Sequence, residues 1–199
     1  PGPPDVVTMN PGGLAVVWAE ENSRDSLFEA MLRREAYGTS GTRPVLRFFG
    51  GWNYPADLCS DPDLVAQAYA GGVPMGGDLG EPVADSLAPI FAVTALRDPD
   101  ESQAPLERLE IVKGWLEDGE LKEAVVVVAG ADTDGAVDTN TCSRKGRGHT
   151  RLCAMWQDPD FDADQAAFYY VRVLQIPTAR HSLLDKLALG DDSVDTRRP

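Results

Sequence analysis

The feature that most constrains this sequence is a pair of strand-type segments joined by a short polar turn. Leu106 to Trp115 and Leu121 to Ala129 are rich in residues that favour a pleated sheet, and Glu117-Asp118-Gly119-Glu120 lies between them. An Asp-Gly pair between two such segments is a strong signal for a tight hairpin turn. The chain is therefore expected to build an antiparallel sheet around this hairpin.

Other segments add strands to this hairpin and only a few helices. The further strand candidates are Leu14 to Ala19, Val45 to Trp52, Ile90 to Leu96, Arg151 to Trp156 and Phe168 to Ile176, and we expect the last two to pair with each other. Helices are expected from Asn22 or Ser23 to Gly38, after Pro62, and from Ser182 to Leu189. The predicted fold class is mainly β (α+β), with a β-sandwich-like body and an N-terminal strand–helix unit.

The N-terminal unit does not look self-sufficient. Leu14 to Ala19 is a continuous apolar segment, typical of a strand buried on both faces, and it leads directly into a helix. Leu27, Phe28, Met31 and Leu32 recur at helical spacing along that helix. Nothing upstream supplies neighbouring strands, and the chain opens without an initiating Met, so we expect it to be part of a longer protein.

Composition narrows the classes of partner. Hydrophobic residues make up 43% of the chain and charged residues 25%, as in folded globular proteins. The formal net charge of −14 repels phosphate backbones and anionic headgroups, so nucleic acid is not an expected partner. The longest apolar runs, such as Ala124 to Ala129, are far shorter than the roughly 20 residues needed to span a bilayer, so no membrane insertion is expected.

Glu20, Glu21 and Asn22 stand where the first predicted strand meets the first predicted helix. Such junctions hold catalytic and metal-binding carboxylates in α/β enzymes. The same residue types also serve a helix start, through its dipole and its need for a cap. Adjacent residues on a strand point to opposite faces, so an acid/base pair formed by Glu20 and Glu21 is the weakest of these interpretations.

Metal ligands are sparse. The two histidines are His149 and His181, and the chain has no His-x-His or Cys-x-x-Cys motif. The aspartates at alternate positions from Asp158 to Asp164 resemble the oxygen ligands of a calcium loop, but the glycine and the closing glutamate of an EF-hand are missing. We expect a solvated turn there, and no metal or other cofactor in this chain.

Two further features leave alternatives open. The basic run from Arg144 to Arg151 would suit an anion, or it is a solvated loop that pairs with the chain's own acids. Cys142 and Cys153 bracket a short glycine-containing segment and are the predicted disulfide, with three unpaired thiols as the alternative. Cys59 is then the leftover thiol, or a rival partner for either of the other two.

Several long strings stop looking generic when they are taken together: NPGGLAVVWAEENSRDSLFEAMLRREAYGTSGTRP, GGVPMGGDL, LERLEIVKGW and WQDPDFDADQAAFYYVRVLQIPTARHS. They resemble the C-terminal part of the bacterial family called domain of unknown function 3604. The matching strings run from about Asn10 to about Ser182, which is most of the chain.

The resemblance implies a metal-dependent hydrolase of the polymerase-and-histidinol-phosphatase type, many of whose members are exported. It implies that residues 1-52 close an incomplete α/β barrel, that 53-89 connect, and that 90-199 form a β-rich domain. The family's histidine-rich metal motifs lie upstream, so the divalent metal belongs to the full-length parent. The matching Trp-Ala-Glu-Glu-Asn-Ser-Arg string places Glu20, Glu21, Asn22 and Arg24 at the edge of that site.

The leading hypothesis is therefore an accessory region, inactive alone, that packs against the upstream hydrolase-like domain and self-associates when that domain is absent. The alternative is an independent β-sandwich module that binds a ligand or a protein through exposed aromatic residues such as Trp52, Tyr54 and Trp115. A periplasmic or exported location is expected, and export favours the Cys142–Cys153 disulfide.

Overall fold

The predicted hairpin forms in the structure, a computed structural model that describes residues 12–82, 88–131 and 133–190. Asp118 and Gly119 adopt φ angles of 53° and 81°, so the turn has the positive φ at both central positions that tight hairpins favour. In chain order the elements are β1 (Leu14–Val17), α1 (Arg24–Leu32), β2 (Ala36–Thr39), β3 (Val45–Gly51), α2 (Leu64–Gly71), β4 (Gly72–Pro74), β5 (Ile90–Leu96), β6 (Leu106–Glu117), β7 (Glu120–Gly130), β8 (Ala136–Val137), β9 (Arg144–Lys145), β10 (Arg151–Gln157), β11 (Ala167–Gln175) and α3 (His181–Leu189), with a short 3-10 helix at Leu58–Ser60.

The described strands form antiparallel sheets. A four-stranded sheet has the order β10-β5-β3-β4, and a three-stranded sheet has the order β11-β6-β7. Two-stranded pairs, β1-β2 and β8-β9, complete the set. The fold class predicted from the sequence, mainly β with a few helices, is confirmed.

The main core lies between the two larger sheets. Phe48, Phe91 and Val93 of the four-stranded sheet meet Leu109 and Ile111 of the three-stranded sheet. A second core covers the opposite face of the four-stranded sheet, where α2 and the 3-10 helix pack on Phe49 of β3 and Ala92 of β5. The other buried residues of this core are Tyr54, Leu58, Leu64 and Ala68. Burial on both faces explains why β3 is apolar except at Arg47.

β10 and β11 do not pair with each other, contrary to the expectation from the sequence. β10 pairs with β5 and β11 pairs with β6, so the two strands belong to different sheets. The segment between them crosses from one sheet to the other, because Asp158 is anchored at that point. Its backbone amide donates to the Pro89 carbonyl and its carboxylate accepts from Lys113.

The N-terminal strand also departs from expectation. β1 pairs antiparallel with β2 and is not buried on both faces, and Leu14 is 40% exposed. α1 ends at Leu32 instead of continuing to Gly38, because Arg34 adopts a left-handed conformation (φ 60°) that turns the chain back into β2. The Arg34 side chain fixes this turn by donating from Nε to the Gly76 carbonyl at 2.9 Å.

The predicted domain boundaries remain predictions, whereas two predicted helices are confirmed. The boundaries at 52/53 and 89/90 stay predictions, although β3 from the first segment pairs along its whole length with β5 from the third. Helices after Pro62 and near Ser182 are confirmed as α2 and α3. None of the helices in the described ranges has the length and apolar character that crossing a bilayer requires.

Candidate functional site: the N-terminal joint and the groove along β11

The predicted site-edge residues lie on the exposed turn between β1 and α1. Glu20, Glu21, Asn22 and Arg24 are all exposed. Ser23 is the N-cap, as its residue type predicts, and its hydroxyl accepts from the Ser26 amide at 3.3 Å. The capping interpretation therefore belongs to Ser23, which leaves the carboxylates of Glu20 and Glu21 available at the surface.

A partly buried polar cluster of Trp18, Glu35, Arg47 and Tyr69, here called the joint, fastens this turn to the body. The Arg47 guanidinium lies over the Trp18 ring, 3.3 Å from its centroid, and its Nη1 is 3.4 Å from Oε1 of Glu35. Glu35 is 4% exposed and also accepts from the Tyr69 hydroxyl. Because a buried carboxylate needs charged or hydrogen-bonding partners, Arg47 and Tyr69 hold Glu35 in place.

The joint orders the elements that carry the exposed turn. Trp18 donates from Nε1 to the Leu46 carbonyl of β3 at 3.0 Å, which ties the end of β1 to the four-stranded sheet. Burial raises the pKa of the Tyr69 hydroxyl, and the hydrogen bond to Glu35 raises it further, so Tyr69 remains a proton donor. These contacts give the Glu20 to Arg24 turn a fixed position relative to the sheets.

One face of α1 is apolar and exposed. Phe28, Met31 and Leu32, at spacing i, i+3 and i+4, share a face of the helix and are 56%, 55% and 66% exposed. Ala30 is the buried residue of this helix. The sequence periodicity correctly predicts an apolar helix face, but no element of the described ranges covers that face.

A groove of about 1420 Å³ runs beside β11. β11 supplies one wall, while β2 and the segment from Val73 to Pro82 supply much of the rest, with Phe91 and Trp52 also in the lining. Trp52 donates from Nε1 to the Gly80 carbonyl at 3.0 Å and meets Phe161 edge to face. Of the aromatic residues suggested for recognition, Trp52 therefore reaches a cavity.

Tyr54, which was expected to be an exposed recognition residue, is buried. It is 6% exposed beneath α2, and its hydroxyl donates to the Ala68 carbonyl at 2.7 Å. Burial raises its pKa to about 12. The sequence could not separate a core tyrosine from a surface one, because the Pro- and Gly-rich segment around it lacks a readable periodicity.

A second buried polar cluster lies behind the groove. Asp158 Oδ2 accepts from Lys113 Nζ and from the Tyr169 hydroxyl, each at 2.6 Å, and Tyr169 lines the groove. Burial opposes the charge on Asp158, but the hydrogen bonds from Lys113, Tyr169 and the Asp160 amide outweigh it and lower its pKa. Burial and the bond to Asp158 raise the pKa of Tyr169. The cluster is thus an ion pair with a neutral tyrosine.

The alternating aspartates form turns in the structure. Asp158 Oδ1 accepts from the Asp160 amide and Asp162 Oδ1 accepts from the Asp164 amide, both at 3.0 Å. These are Asx turns of the kind that short polar side chains commonly form. Over the described ranges, no group of three or more His, Cys, Asp or Glu side chains is arranged to hold a metal ion.

The basic run is exposed, includes the short strand β9 and the start of β10, and has internal partners. Lys145 Nζ is 3.3 Å from Asp138 Oδ2, and Arg144 donates to the Ser102 carbonyl. Arg151 donates to the Cys59 carbonyl at 3.2 Å. Part of the cluster is therefore used to fasten loops, which agrees with the second of the two interpretations made from the sequence.

The predicted disulfide is wrong in one partner. Cys153 bonds to Cys59, with the two Cα atoms 5.8 Å apart, and Cys142 is free. Cys153 lies within β10, while Cys59 lies on the 3-10 helix that packs over the four-stranded sheet. The pairing is a tertiary contact over a sequence separation of 94 residues, so proximity in sequence favoured the wrong cysteine.

Neither polar cluster was found from the sequence. A signal was nevertheless present, because Arg47 interrupts an otherwise apolar strand segment and Lys113 directly follows the apolar pair Ile111-Val112. A charged residue in such a segment has to be paired or exposed. What the sequence does not contain is the identity of the partners, which lie 12 positions away for Glu35 and 45 positions away for Asp158.

Comparison with known proteins gives a family without an assigned activity. No curated protein and no solved structure matches the chain significantly. A family model, described as protein of unknown function (DUF3604), matches residues 4–199. The match covers nearly the whole sequence, and the chain therefore belongs to the DUF3604 family.

Proposed function

We propose that this chain is an accessory, structural region of a metal-dependent hydrolase-like protein, inactive alone, and that its N-terminal unit packs against the hydrolase-like domain. The observation that carries the proposal is the exposed apolar face of α1, formed by Phe28, Met31 and Leu32. Contiguous apolar surface of this kind marks an interaction site in soluble proteins. Full burial of such side chains stabilises an interface by about 1.5–3 kcal/mol each.

The position of the exposed turn agrees with this proposal. Glu20, Glu21, Asn22 and Arg24 precede or begin the same helix, so a domain that covers α1 would lie next to them. The joint holds this turn in place before any partner binds. Glu20 to Arg24 would then border the partner's site without completing a site of their own.

The disulfide of the structure supports the exported character in this proposal. The Cys59–Cys153 disulfide is of the kind that persists in the periplasm and outside the cell and is rare in reducing compartments. We accordingly propose a periplasmic or exported location.

The test uses the chain and the segment encoded before it in the same gene, produced separately and mixed. We expect binding that Met31→Asp weakens at least about tenfold, equivalent to about 1.4 kcal/mol. Leu184→Asp is the matched control, because Leu184 is also an apolar helix residue and is 50% exposed. A gene that encodes no upstream domain, or equal binding by the two variants, would overturn the proposal.

Activity is measured in parallel. The isolated chain should hydrolyse no phosphate ester above background with added divalent metal. Reproducible turnover that disappears in Glu20→Gln would show instead that this chain carries an active site of its own.

A second candidate function, an independent binding module, is favoured by the groove along β11. Its volume of about 1420 Å³ exceeds the roughly 300–1,000 Å³ of common small-molecule pockets. A groove of this size, open along a strand, fits an elongated ligand better than a compact one.

A further inference from the structure

We propose that β11 is a docking edge for an extended polypeptide segment, which adds to the three-stranded sheet as a further strand. The inference deepens the second candidate function and does not depend on the accessory proposal, because α1 and β11 are separate surfaces. The occupant is identified by its chemistry: an extended peptide with apolar residues at alternate positions and a carboxylate placed to meet Arg172.

β11 has unused hydrogen-bonding capacity along one edge of its backbone. Within the described part of the chain, β11 has one strand neighbour, β6, and it pairs with it from Ala167 to Gln175. The amides and carbonyls that point away from β6 therefore have no strand to pair with. An edge of this kind is a template for another strand.

β11 lacks the features that protect a sheet edge from strand addition, whereas β7, at the other edge of the same sheet, has them. β7 carries Glu120, Lys122 and Glu123, and its register against β6 shifts near Val128, as in a β-bulge. Charges and bulges of this type discourage strand addition. Arg172 is the one charged residue of β11, and the register of β11 is regular up to Leu174.

The groove runs along the whole of β11 and has apolar residues in its lining. Residues Ala167 to Gln175 all line it, so the cavity follows the edge along its full length. A strand of nine residues is about 30 Å long. Val73, Pro74 and Met75 line the same groove and offer apolar contacts to the inward residues of an added strand.

The outward face of β11 carries a positive charge, at Arg172, that is complementary to an acidic residue of the occupant. Phe168, Tyr170 and Arg172 alternate along this face and are exposed. The Arg172 guanidinium donates to the Tyr170 hydroxyl at 2.7 Å and forms a long ion pair with Glu123, with an N–O distance of 4.0 Å. A glutamate on the added strand, opposite Arg172, would complete this arrangement, with aromatic residues beside Tyr170.

The probe is the fluorescein-labelled peptide Thr-Val-Tyr-Val-Glu-Val-Tyr-Val-Thr, capped at both ends and held at nanomolar concentration. Its sequence reads the same in both directions, so it serves for parallel or antiparallel addition. We expect saturable one-to-one binding to the intact chain by fluorescence anisotropy, and shifts of the β11 amide signals in NMR spectra. Absence of binding would overturn the proposal.

Two N-methylated peptides test whether the backbone carries the binding. One is methylated at the valines and the other at the tyrosines and glutamate, so each blocks the amides on one side of the strand. Strand addition requires that one of the two loses at least about tenfold in affinity while the other is retained. Equal affinities of the two forms would overturn strand addition.

A charge exchange tests the register. Replacing the peptide glutamate by lysine should weaken binding about fivefold, equivalent to about 1 kcal/mol for an exposed pair. Arg172→Glu should reverse this preference, while Lys122→Glu on β7 should leave it unchanged. The same preference in both variants would contradict the placement opposite Arg172.

Two further measurements distinguish this proposal from the accessory proposal at α1 and from self-association of the chain. Met31→Asp should bind the probe as the unaltered chain does, so failure at α1 and failure at β11 are distinguishable. A stable dimer that persists in Met31→Asp and that the probe neither dissociates nor binds would show instead that β11 is an interface between two copies.

Discussion

Breaking the Cys59–Cys153 bond should cost more stability than any other change at the three cysteines. The bridge joins residues 94 positions apart, so in the chain-entropy model it restricts the unfolded chain by about 4.7 kcal/mol. The predicted Cys142–Cys153 bridge would have closed a loop of about ten residues and contributed about 3 kcal/mol. The location of the bond therefore sets the size of the effect.

The perturbation is Cys59→Ala, with Cys142→Ala as the matched control. Urea unfolding of Cys59→Ala without reductant should give a free energy of unfolding about 4–5 kcal/mol below that of the unaltered chain. In a chain of this size the Tm should fall by roughly 10–20 °C. Cys142→Ala should change the free energy of unfolding by less than about 0.5 kcal/mol, because Cys142 is not in the bond.

Reduction gives the decisive comparison. With dithiothreitol the unaltered chain should become as unstable as Cys59→Ala, because both then lack the cross-link. Cys59→Ala itself should not respond to the reductant. If Cys142→Ala were the destabilised variant, or if reductant changed nothing in the unaltered chain, the assigned pairing and the entropy argument would both be refuted.

The remaining predictions concern the buried ion pair and one close approach of backbone segments. Asp158→Asn should lower the free energy of unfolding at pH 7 by about 3–5 kcal/mol, because it leaves Lys113 buried without its partner charge. The folded-state pKa of Asp158 is lowered, so its contribution is present above the unfolded pKa of about 3.9 and is lost as pH falls through the folded pKa. The stability difference between the two proteins should therefore shrink below about pH 4 in urea unfolding, and a difference independent of pH would contradict the assignment. Gly72→Ala should destabilise by about 1–3 kcal/mol, since an added Cβ would lie 2.1 Å from the Tyr54 hydroxyl. Gly80→Ala, where nothing lies within 4 Å of the added Cβ, should be neutral, and urea unfolding of the two variants checks both expectations.

Local chemistry allowed the sequence to predict the class of fold. Asp118-Gly119 specifies its turn through positive φ angles, Ser23 specifies a helix start through its hydroxyl, and β-branched segments specify strands. These choices depend on neighbours within a few residues of the chain. They are therefore visible before any tertiary contact is known.

The errors arose where the decision depended on distant residues. An apolar segment at Leu14 looked buried on both faces, yet the left-handed turn at Arg34, fixed by the distant Gly76, folds β2 back onto β1. β10 and β11 looked like one hairpin, but the anchoring of Asp158 by Lys113 sends them to different sheets. In each case the observed arrangement includes long-range polar contacts that the local sequence does not specify.

The sequence by itself determined that this protein is acidic, mainly β and a member of the DUF3604 family. Only the tertiary structure decided which cysteines bond, which charged residues share a buried cluster, which helix face stays uncovered and which strand edge stays open. The physical reason is that turn, cap and strand preferences are short-range properties of the chain. Pairing and exposure depend on which distant segments the fold brings together.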